Sequence, residues 1–481
     1  MDNSKSLILK GVFWNGLQLV VNQSFTFIVR LILAKLLLPE QFGIIGMATV
    51  FTGFVQVLTE LGIGAALVQR KDDQLNPIHY HTSFWTGVIW SALLFLLMTF
   101  VAAPFAADFY NEPILKILIP VISIGILLSP INLVNKAQLT KQMNFKKIAR
   151  IENITNIIAG IISIVMALLG AGVWSLAFNS TAIILFAIPL YFKATGWFPK
   201  LIWSKEAFKD VFGFGIYTTG TNVINYFINN VDYLLIGKVL SAQALGAYTF
   251  AFVLTDTFRG KLMSVINNVM YPLYGKKQGD PEALKKYYLK VVSYNSIIIY
   301  PIMVLLLTLA EPIILNIFGE KWHDSIIPLK ILSVSVMIHM LVNSNTALIR
   351  GLGKPGLEMK LQLFKAFIFI PTLIFGIYTN GIIGASWAIL INKIIAVIIA
   401  QYTFNKLINI KISSKEFFSE IKAPWIASIL AYSLGYFLYV TLNVHYIITG
   451  VAIMIIYCLT IFVSIGKELT LQIKELKRIR Q

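Results

Sequence analysis

The sequence predicts an all-α polytopic membrane protein of about 14 transmembrane helices, arranged as two parallel six-helix repeats followed by two further helices. Three observations predict this fold class: an apolar composition, a series of apolar runs of membrane-spanning length, and an internal repeat. Hydrophobic residues make up 57% of the 481 residues, and charged residues make up only 13%. Because soluble proteins are usually less than half apolar, a soluble enzyme, a disordered chain and a protein with a single membrane anchor are excluded.

Each predicted span is an apolar run of roughly 20 residues or more, which is the length that crosses the hydrocarbon core as a helix. The first six spans lie near residues 11–35, 43–68, 83–107, 113–134, 148–169 and 172–193. The next six lie near residues 212–237, 244–270, 291–317, 326–349, 361–378 and 381–401. The last two lie near residues 423–441 and 445–466.

The distribution of positive charge predicts the orientation. Of the 40 Lys and Arg residues, 31 are assigned to the terminal segments and one set of alternate loops, 5 to the other set and 4 to the spans. Cytoplasmic loops are enriched in Lys and Arg, so both termini are predicted to be cytoplasmic and the loops that carry Lys35 and Lys238 to be outside. The net charge of +18 is mostly this orientation signal, and no nucleic-acid recognition module accompanies it. The basic C-terminal run is either a solvated tail or a contact for anionic membrane lipids.

The chain repeats itself at a shift of about 203 residues. Residues 31–48 (LILAKLLLPEQFGIIGMA) align with residues 234–251 (LLIGKVLSAQALGAYTFA), so that Lys35 meets Lys238 and Gly43 meets Gly246. A shift of six helices preserves orientation, and the two halves are therefore predicted to be parallel repeats related by an axis along the membrane normal. Two such halves facing each other are the common plan of alternating-access transporters.

This repeat divides the chain into five predicted parts. They are an N-terminal lobe (1–193), a cytoplasmic linker (194–210), a C-terminal lobe (211–401), helices 13 and 14 (402–466) and a basic cytoplasmic tail (467–481).

Three predicted helices carry polar residues on one face. Helix 1 has Asn15, Gln18, Asn22, Thr26 and Arg30; helix 7 has Thr218, Asn222, Asn225, Asn229 and Asp232; helix 10 has Ser335, His339, Asn343, Thr346 and Arg350. A polar face is not stable against lipid. The stripes therefore either hydrogen-bond between helices or line a hydrated cleft, which the relation of the first two stripes by the repeat favours.

Charged residues within the spans are the candidate substrate and ion sites. The basic residues are Arg30, Arg259, Lys261 and Lys393, and the acidic residues are Glu60, Asp232 and Asp256. Asp256 and Arg259 share one face of helix 8, either as a structural ion pair or as part of a site, and Arg30 either faces the cleft or snorkels outward. The slight basic excess favours an anionic substrate, because arginine forms paired hydrogen bonds with phosphate oxygens.

Several enzyme and metal chemistries lack their sequence signals. The one cysteine, Cys458, permits no disulfide within the chain, and the five histidines show no metal-ligand spacing. No Walker A loop, nucleophile elbow or kinase motif is present, so no catalytic residue is predicted.

The opening of the chain, residues 10–72, resembles the N-terminus of Wzx-type polysaccharide flippases of the multidrug/oligosaccharidyl-lipid/polysaccharide exporter superfamily. The resemblance is carried by a turn with Leu37, Pro39, Phe42 and Gly43, by the run TELGIGAALVQR (59–70) and by GASWA (384–388). It implies a V-shaped pair of six-helix lobes and alternating-access transport of an undecaprenyl-diphosphate-linked oligosaccharide for lipopolysaccharide, capsule or exopolysaccharide synthesis.

The resemblance also implies a location and partners. The location is the bacterial cytoplasmic (inner) membrane, and the partners are the lipid-linked oligosaccharide and the polysaccharide polymerase and export machinery. In relatives that flip lipid-linked sugars, basic residues of helices 1 and 8 engage the diphosphate, which points to Arg30 and Arg259 here. With Lys261, Lys393, Asn22, Asn225 and Asn229 they form the predicted substrate site, and Glu60, Asp232 or Asp256 are the candidates for coupling to H⁺ or Na⁺.

Two other functions remain open from the residues alone. A multidrug or metabolite exporter would use acidic and aromatic cleft residues, which Asp232 and Asp256 permit. A membrane-embedded glycosyltransferase, polymerase or ligase would need acid/base groups in its outer loops, where Asp108, Glu112, Glu320 and Asp324 are scattered.

Overall fold

The structure is a computed structural model, and the residues that it describes are almost entirely helical. It describes the backbone of residues 22, 24–59, 63–70 and 74–480, and side chains apart from those of residues 65, 212–222, 224, 258, 261, 262, 264, 265, 268, 414 and 467–480. No strand occurs in these described ranges. The predicted all-α fold class is confirmed.

The chain forms two compact units, Met1–Thr249 and Phe250–Gln481. The helices of the first unit are α1 (24–36), α2 (Pro39–Thr59), α3 (Ile63–Gln69), α4 (Pro77–Leu97), α5 (Ala103–Tyr110), α6 (Leu115–Lys141), α7 (Phe145–Leu168), α8 (Val173–Thr195) and α9 (Lys205–Val239). Helix α10 (Ala242–Lys276) begins in the first unit and continues into the second.

The helices of the second unit after α10 are α11 (Pro281–Ile313), α12 (Ile326–Met340), α13 (Asn345–Gly351), α14 (Pro355–Tyr402), α15 (Ser414–Tyr436) and α16 (Tyr446–Arg480). Short π-helical turns follow α4, α11, α14 and α15, and a 3₁₀ segment, Glu320–Ser325, leads into α12.

The helices have the length and surface of membrane spans. Ten helical stretches within the described part of the chain are long and apolar enough to cross a bilayer. Large apolar side chains point away from the protein, among them Phe100, Phe367 and Val463, which are 71%, 77% and 84% exposed. Such surfaces are stable against lipid tails and unstable against water. The chain is a multi-pass membrane protein.

In the first unit, α6 lies at the centre of the packing. It contacts α4 and α8, while α7 packs on α8 and α2 packs on α6 and α9. Small residues permit close approach, as at Gly87, where an added Cβ would lie 2.9 Å from Cβ of Pro130. Buried Ser91 donates hydrogen bonds to the carbonyl oxygens of Val88 and Leu127, which joins α4 to α6 without leaving a polar group unsatisfied.

The segment between α8 and α9, which falls in the predicted linker, is held against α4. Helix α8 ends at Gly196, which has a φ of 65°, and α9 starts after the N-cap Ser204. The Trp85 indole donates to the carbonyl oxygen of Lys200 at 2.7 Å, and the backbone N–H of Ser204 donates to the Thr82 hydroxyl at 3.1 Å. His81 stacks on Trp197. These contacts fix where α9 begins.

In the second unit, α11 is the central helix. It packs against α12, α15 and α16, and α12 packs in turn against α14. One cluster of the unit's core is built around the fully buried aromatic residues Tyr274, Tyr288 and Phe404. The rings of Tyr288 and Phe404 meet edge to face, with centroids 4.7 Å apart.

Within the described residues the helices agree with the predicted spans in position, with two informative differences. The predicted span 326–349 is interrupted, because α12 ends at Met340 and α13 starts only at Asn345. The predicted tail does not follow the last span as a separate segment, because α16 continues through it up to Arg480. Its Glu, Lys and Leu residues have high helix propensity and favour this continuation.

The predicted turn between helices 11 and 12 is confirmed at Asn380 and Gly381, where the backbone of α14 leaves helical geometry. Residues 11–21 of the first predicted span, including Asn15 and Gln18, lie outside the described residues, and the number of 14 spans remains a prediction.

Candidate functional site

The predicted polar residues of the first unit occupy different environments. Asn22 and Asn225 are half-buried, whereas Asn229 and Arg30 are exposed. Arg30 is close enough to Tyr233 to interact with it electrostatically. The backbone of α9 does place Asn225 and Asn229 one turn apart on a helix, as the stripe predicted.

Asp232, predicted as an ion-coupling carboxylate, is buried in the first unit. The hydroxyl of Tyr248 donates a hydrogen bond of 2.6 Å to its Oδ2, and the Tyr248 ring packs edge to face on Tyr233. A buried carboxylate with a tyrosine donor is stabilised in place. Any ion that used Asp232 would therefore share this carboxylate with Tyr248.

In the second unit, Arg259 and Asp256 form an ion pair on one face of α10. Arg259 donates to Oδ1 of Asp256 through Nε at 2.6 Å and through Nη2 at 2.5 Å. The side chains are 13% and 25% exposed, respectively, so the pair is largely shielded. The remaining arm of the guanidinium, Nη1, donates to Oδ1 of Asn343 at 3.3 Å. Asp256 thus neutralises and orients Arg259.

Asn343 belongs to the interruption between α12 and α13, residues 341–344, which we call the helix break. An interrupted helix frees backbone carbonyls, and inside a bilayer those groups must find other donors. Here the Tyr288 hydroxyl donates to the carbonyl oxygen of Leu341 at 2.9 Å, and the Asn267 side chain donates to that of Asn343 at 3.3 Å. The break is therefore built into the protein.

Additional contacts hold the helix break from two sides. Oδ1 of Asn345 lies 2.6 Å from the same Tyr288 hydroxyl, so the one proton is shared between Leu341 and Asn345. The hydroxyls of Tyr274 and Ser344 are 3.2 Å apart. Two buried amide atoms at this place make no hydrogen bond, namely Nδ2 of Asn343 and Oδ1 of Asn267. One donor and one acceptor are thus available at the helix break, beside the Arg259–Asp256 pair.

Three basic side chains interact electrostatically with His339, two residues before the helix break. Lys393, Arg259 and Lys365 all act electrostatically on its imidazole. His339, Lys393 and Lys365 are half-buried. Because Asp256 offsets the charge of Arg259, the two lysines supply the positive charge of this cluster. We call Arg259, His339, Asn343, Lys365 and Lys393 the basic cluster.

The basic cluster suits an anion. Ammonium and guanidinium groups of low exposure bind phosphate oxygens more strongly than in bulk water, since fewer water molecules compete for them. A free amide donor at Asn343 adds a neutral hydrogen bond. Among the described residues, no group of three or more His, Cys, Asp or Glu side chains is arranged to hold a metal ion.

The structure thus brings together some of the predicted site residues. In the second unit Arg259 pairs with Asp256, and Arg259 and Lys393 both act electrostatically on His339. The other described candidates, Asn22, Arg30, Asn225, Asn229 and Asp232, belong to the first unit. Glu60 and the side chain of Lys261 lie outside the described residues. The substrate and ion roles of all these residues remain predictions.

Two members of the site were missed by the sequence analysis. Lys365 is absent from the charged residues assigned to the spans, although it falls inside the predicted span 361–378, and that position was the available signal. Asn267 carried no signal, because with Asn268 it lies at the end of the predicted span 244–270, where polar residues are common. The helix break itself had a signal in the run Asn343, Ser344 and Asn345, since Asn and Ser favour turns.

The chain matches a family of known proteins. The family model described as "Polysaccharide biosynthesis protein" matches residues 32–327.

Three curated relatives match over most of their length. The lipopolysaccharide biosynthesis protein WzxC of Escherichia coli is 25% identical, covering 89% of this chain and 87% of its own. The teichuronic acid biosynthesis protein TuaB of Bacillus subtilis is 24% identical, covering 89% and 88%. The succinoglycan biosynthesis transport protein ExoT of Rhizobium meliloti is 24% identical, covering 82% and 79%.

A solved structure has the same fold. The lipid II flippase MurJ in an inward closed conformation superposes with a TM-score of 0.71, covering 96% of this chain and 100% of its own at 14% identity. At that level of identity the likeness concerns the fold alone.

The first prediction concerns the hydroxyl that supports the helix break. Tyr288→Phe removes the donor to Leu341 and Asn345 and leaves buried acceptors unsatisfied, which costs about 1–3 kcal/mol. We expect a lower free energy of unfolding, measured by titration with a denaturing detergent. The matched control is Tyr378→Phe, where the side chain is 73% exposed. Equal stability of the two variants would contradict the role given to Tyr288.

Proposed function

Because the chain belongs to the family of polysaccharide biosynthesis proteins, we propose that it moves lipid-linked oligosaccharide units across the membrane. The cargo is an undecaprenyl-diphosphate-linked repeat unit, carried from the inner to the outer leaflet by alternating access. Relatives named for lipopolysaccharide, teichuronic acid and succinoglycan synthesis support this proposal, as does the transport role in the name of the last. In this proposal the chain is a transporter and catalyses no covalent step.

The observation that carries the proposal is the basic cluster within otherwise apolar helices. A charged group within a bilayer is costly and is retained where it has a function. Lys365 and Lys393 add positive charge beyond the internal Arg259–Asp256 pair. A diphosphate group offers the complementary charge, whereas its prenyl chain is soluble in the surrounding lipid.

Transport follows from binding that differs between two states. The diphosphate enters from the cytoplasmic leaflet and is bound by Lys393, Lys365 and the free amide of Asn343. Arg259 completes the site, since its guanidinium is already oriented by Asp256. Binding favours whichever conformation engages the anion better, because a ligand shifts a conformational equilibrium only by its difference in affinity. Arg30 and the Asn residues of the first unit serve the same cargo in this proposal.

The environment of the protein is part of the proposal. We propose a bacterial cytoplasmic membrane with both termini on the cytoplasmic side, as the 31 basic residues of the inner loops and termini support. Functional partners are the polymerase and the export machinery that use the flipped unit. Coupling to H⁺ or Na⁺ through Glu60, Asp232 or Asp256 is proposed as the source of energy.

The second prediction is the consequence of removing the protein. Cells that lack it accumulate the lipid-linked oligosaccharide on the inner leaflet, because the unit is made there and no longer crosses. The measurement is extraction and quantification of lipid-linked sugars, together with an impermeant glycan-binding reagent added to spheroplasts. Accumulated units that the reagent does not reach support the proposal. Accumulated units within its reach indicate a polymerase or ligase, and no accumulation indicates an exporter of other compounds.

The third prediction separates substrate binding by Arg259 from its structural pairing. Arg259→Gln leaves the Asp256 carboxylate without its partner, so both stability and export fall. The double variant Asp256→Asn, Arg259→Gln removes both charges and restores membrane abundance. Export by the double variant is expected to be about 10- to 100-fold below that of Asp256→Asn alone, which already lacks any coupling role of Asp256. This is the effect of losing one hydrogen bond to a charged group.

The control for this prediction is another ion pair of the second unit. Nζ of Lys285 lies 2.6 Å from Oε1 of Glu416. The double variant Lys285→Gln, Glu416→Gln is expected to keep normal export, as neither side chain interacts with a member of the basic cluster. Full export by the Asp256→Asn, Arg259→Gln variant at normal abundance would show that Arg259 is structural only.

A further inference from the structure

Helix α16 continues well beyond the part of it that spans the bilayer. The apolar stretch Tyr446–Gly466 accounts for 21 of its 35 residues, and the helical backbone goes on to Arg480. At a rise of about 1.5 Å per residue, the remainder extends the helix by about 20 Å. Because this extension continues the span, it points away from the bilayer and stands in water.

The extension carries apolar residues in a heptad repeat. We assign the heptad positions a to g along α16, with Ile448 at position a. Beyond Gly466, positions a and d are occupied by Leu469, Gln472, Leu476 and Ile479. Three of these four residues are apolar, whereas Leu471 is the only apolar residue among the seven at the outer positions b, c and f of residues 467–481. This pattern is typical of a helix that pairs with another in a coiled coil.

The same heptad positions are uncovered in the spanning part of α16. They are occupied by Ile448, Val451, Ile455, Cys458, Phe462 and Ile465. All of them are exposed except Ile465, which is half-buried. The opposite side of the helix is buried, as at Ile453 and Tyr457, where α16 packs on α11 and α15. One heptad register, which we call the α16 seam, therefore runs along the uncovered face of the span and on into the extension.

A second copy of α16 is the partner that fits the seam. In lipid an uncovered apolar face needs no partner, because lipid tails are equally apolar. In water beyond Gly466, the apolar residues at positions a and d favour burial. A second copy in the same membrane has the same orientation, and its seam begins at the same height. The two helices therefore meet in parallel and in register without any further constraint.

The charges of the extension are complementary in such a pair. In a parallel coiled coil, a residue at g lies near the residue five positions later at e of the other helix. Glu475 is at g and Arg480 is at e, so two opposite-charge pairs form by symmetry. The remaining basic residues of the extension fall at outer positions, where they stay in water, namely Lys467, Lys474, Lys477 and Arg478.

We propose that α16 is a dimerisation helix. Two copies of the protein associate about a two-fold axis along the membrane normal, with the α16 seam as the shared surface. The strict seven-residue repeat gives the pair a left-handed supercoil, which starts in the extension and continues along the spans. No residue of the basic cluster belongs to α16, so each copy keeps its own cluster.

The fourth prediction is that residues of the α16 seam cross-link between copies. Each variant of the full-length chain has one cysteine in a Cys458→Ser background, which removes the one native thiol. Native membranes are treated with a short bifunctional maleimide, and the covalent dimer is quantified. Gln472→Cys, at position d, is expected to give roughly tenfold more dimer than Lys474→Cys, at position f, because d positions face each other and f positions face outward.

A second pair of variants tests the spanning part of the seam. Phe462 is at position a and Val463 is at position b, and Val463 is the more exposed of the two. Phe462→Cys is expected to give more covalent dimer than Val463→Cys, whereas random collision in the membrane would favour the more exposed position. The inference is overturned if either seam variant fails to exceed its control.

A charge exchange separates dimerisation from binding of the basic extension to anionic lipid headgroups. In the Gln472→Cys reporter, Glu475→Arg or Arg480→Glu brings like charges together across the seam and is expected to lower cross-linking several-fold. Both substitutions together keep the net charge of the parent and are expected to restore cross-linking. An extension bound to lipid would respond to its net charge alone, so Glu475→Arg would strengthen its attachment.

The outcomes of the charge exchange are distinct. Recovery in the double variant, at equal membrane abundance, supports the paired α16 helices. Cross-linking that neither single substitution lowers, or that the double variant does not recover, overturns the inference. These assays involve no cargo, so their result is independent of the proposed transport function.

Discussion

Every backbone polar group inside a bilayer needs a partner within the protein, and this constraint governs the architecture. It explains why the described chain is helical from α1 to α16, since an α-helix satisfies its own interior. The same constraint means that an interrupted helix must have donors from elsewhere in the protein for its backbone carbonyls. The helix break at residues 341–344 persists only because Tyr288 and Asn267 supply the donors that the helix no longer provides.

The electrostatics of the second unit follow the same principle. A charge that leaves water must be compensated nearby, and Asp256 does this for Arg259, as Glu358 does for Arg350. Lys365 and Lys393 also act electrostatically on His339, and Lys365 interacts in addition with Glu358. The basic side chains near His339 thus belong to a wider set of interacting charges in the second unit.

The first unit combines two kinds of helix contact. Helices α2 and α10 meet backbone to backbone at Gly43 and Gly246, whereas Ser91 and Trp85 join other segments through hydrogen bonds. Van der Waals contact between backbones is strong only at short range, so a larger side chain at either glycine would separate the two helices.

Much of the fold was determined by the sequence itself. Apolar runs longer than a bilayer is thick have no stable alternative to helices in lipid, so the spans could be located from Leu, Ile, Val and Phe alone. The turn at Asn380 and Gly381 could also be predicted from neighbouring residues alone. Gly381 has a φ of 53°, which residues other than glycine rarely adopt. The alignment of Gly43 with Gly246 was also visible as a repeat.

Only the tertiary structure decided which of these residues meet. Periodicity places Asp256 and Arg259 on one face of a helix, but the contact of Arg259 with Asn343 joins residues 84 positions apart. The gathering of Lys365 and Lys393 near His339 depends on how α12 packs against α14. The reciprocal contacts of Gly43 and Gly246 likewise required the crossing itself. The physical reason is that helix formation depends on neighbours within four residues, whereas packing depends on surfaces that the whole chain must first assemble.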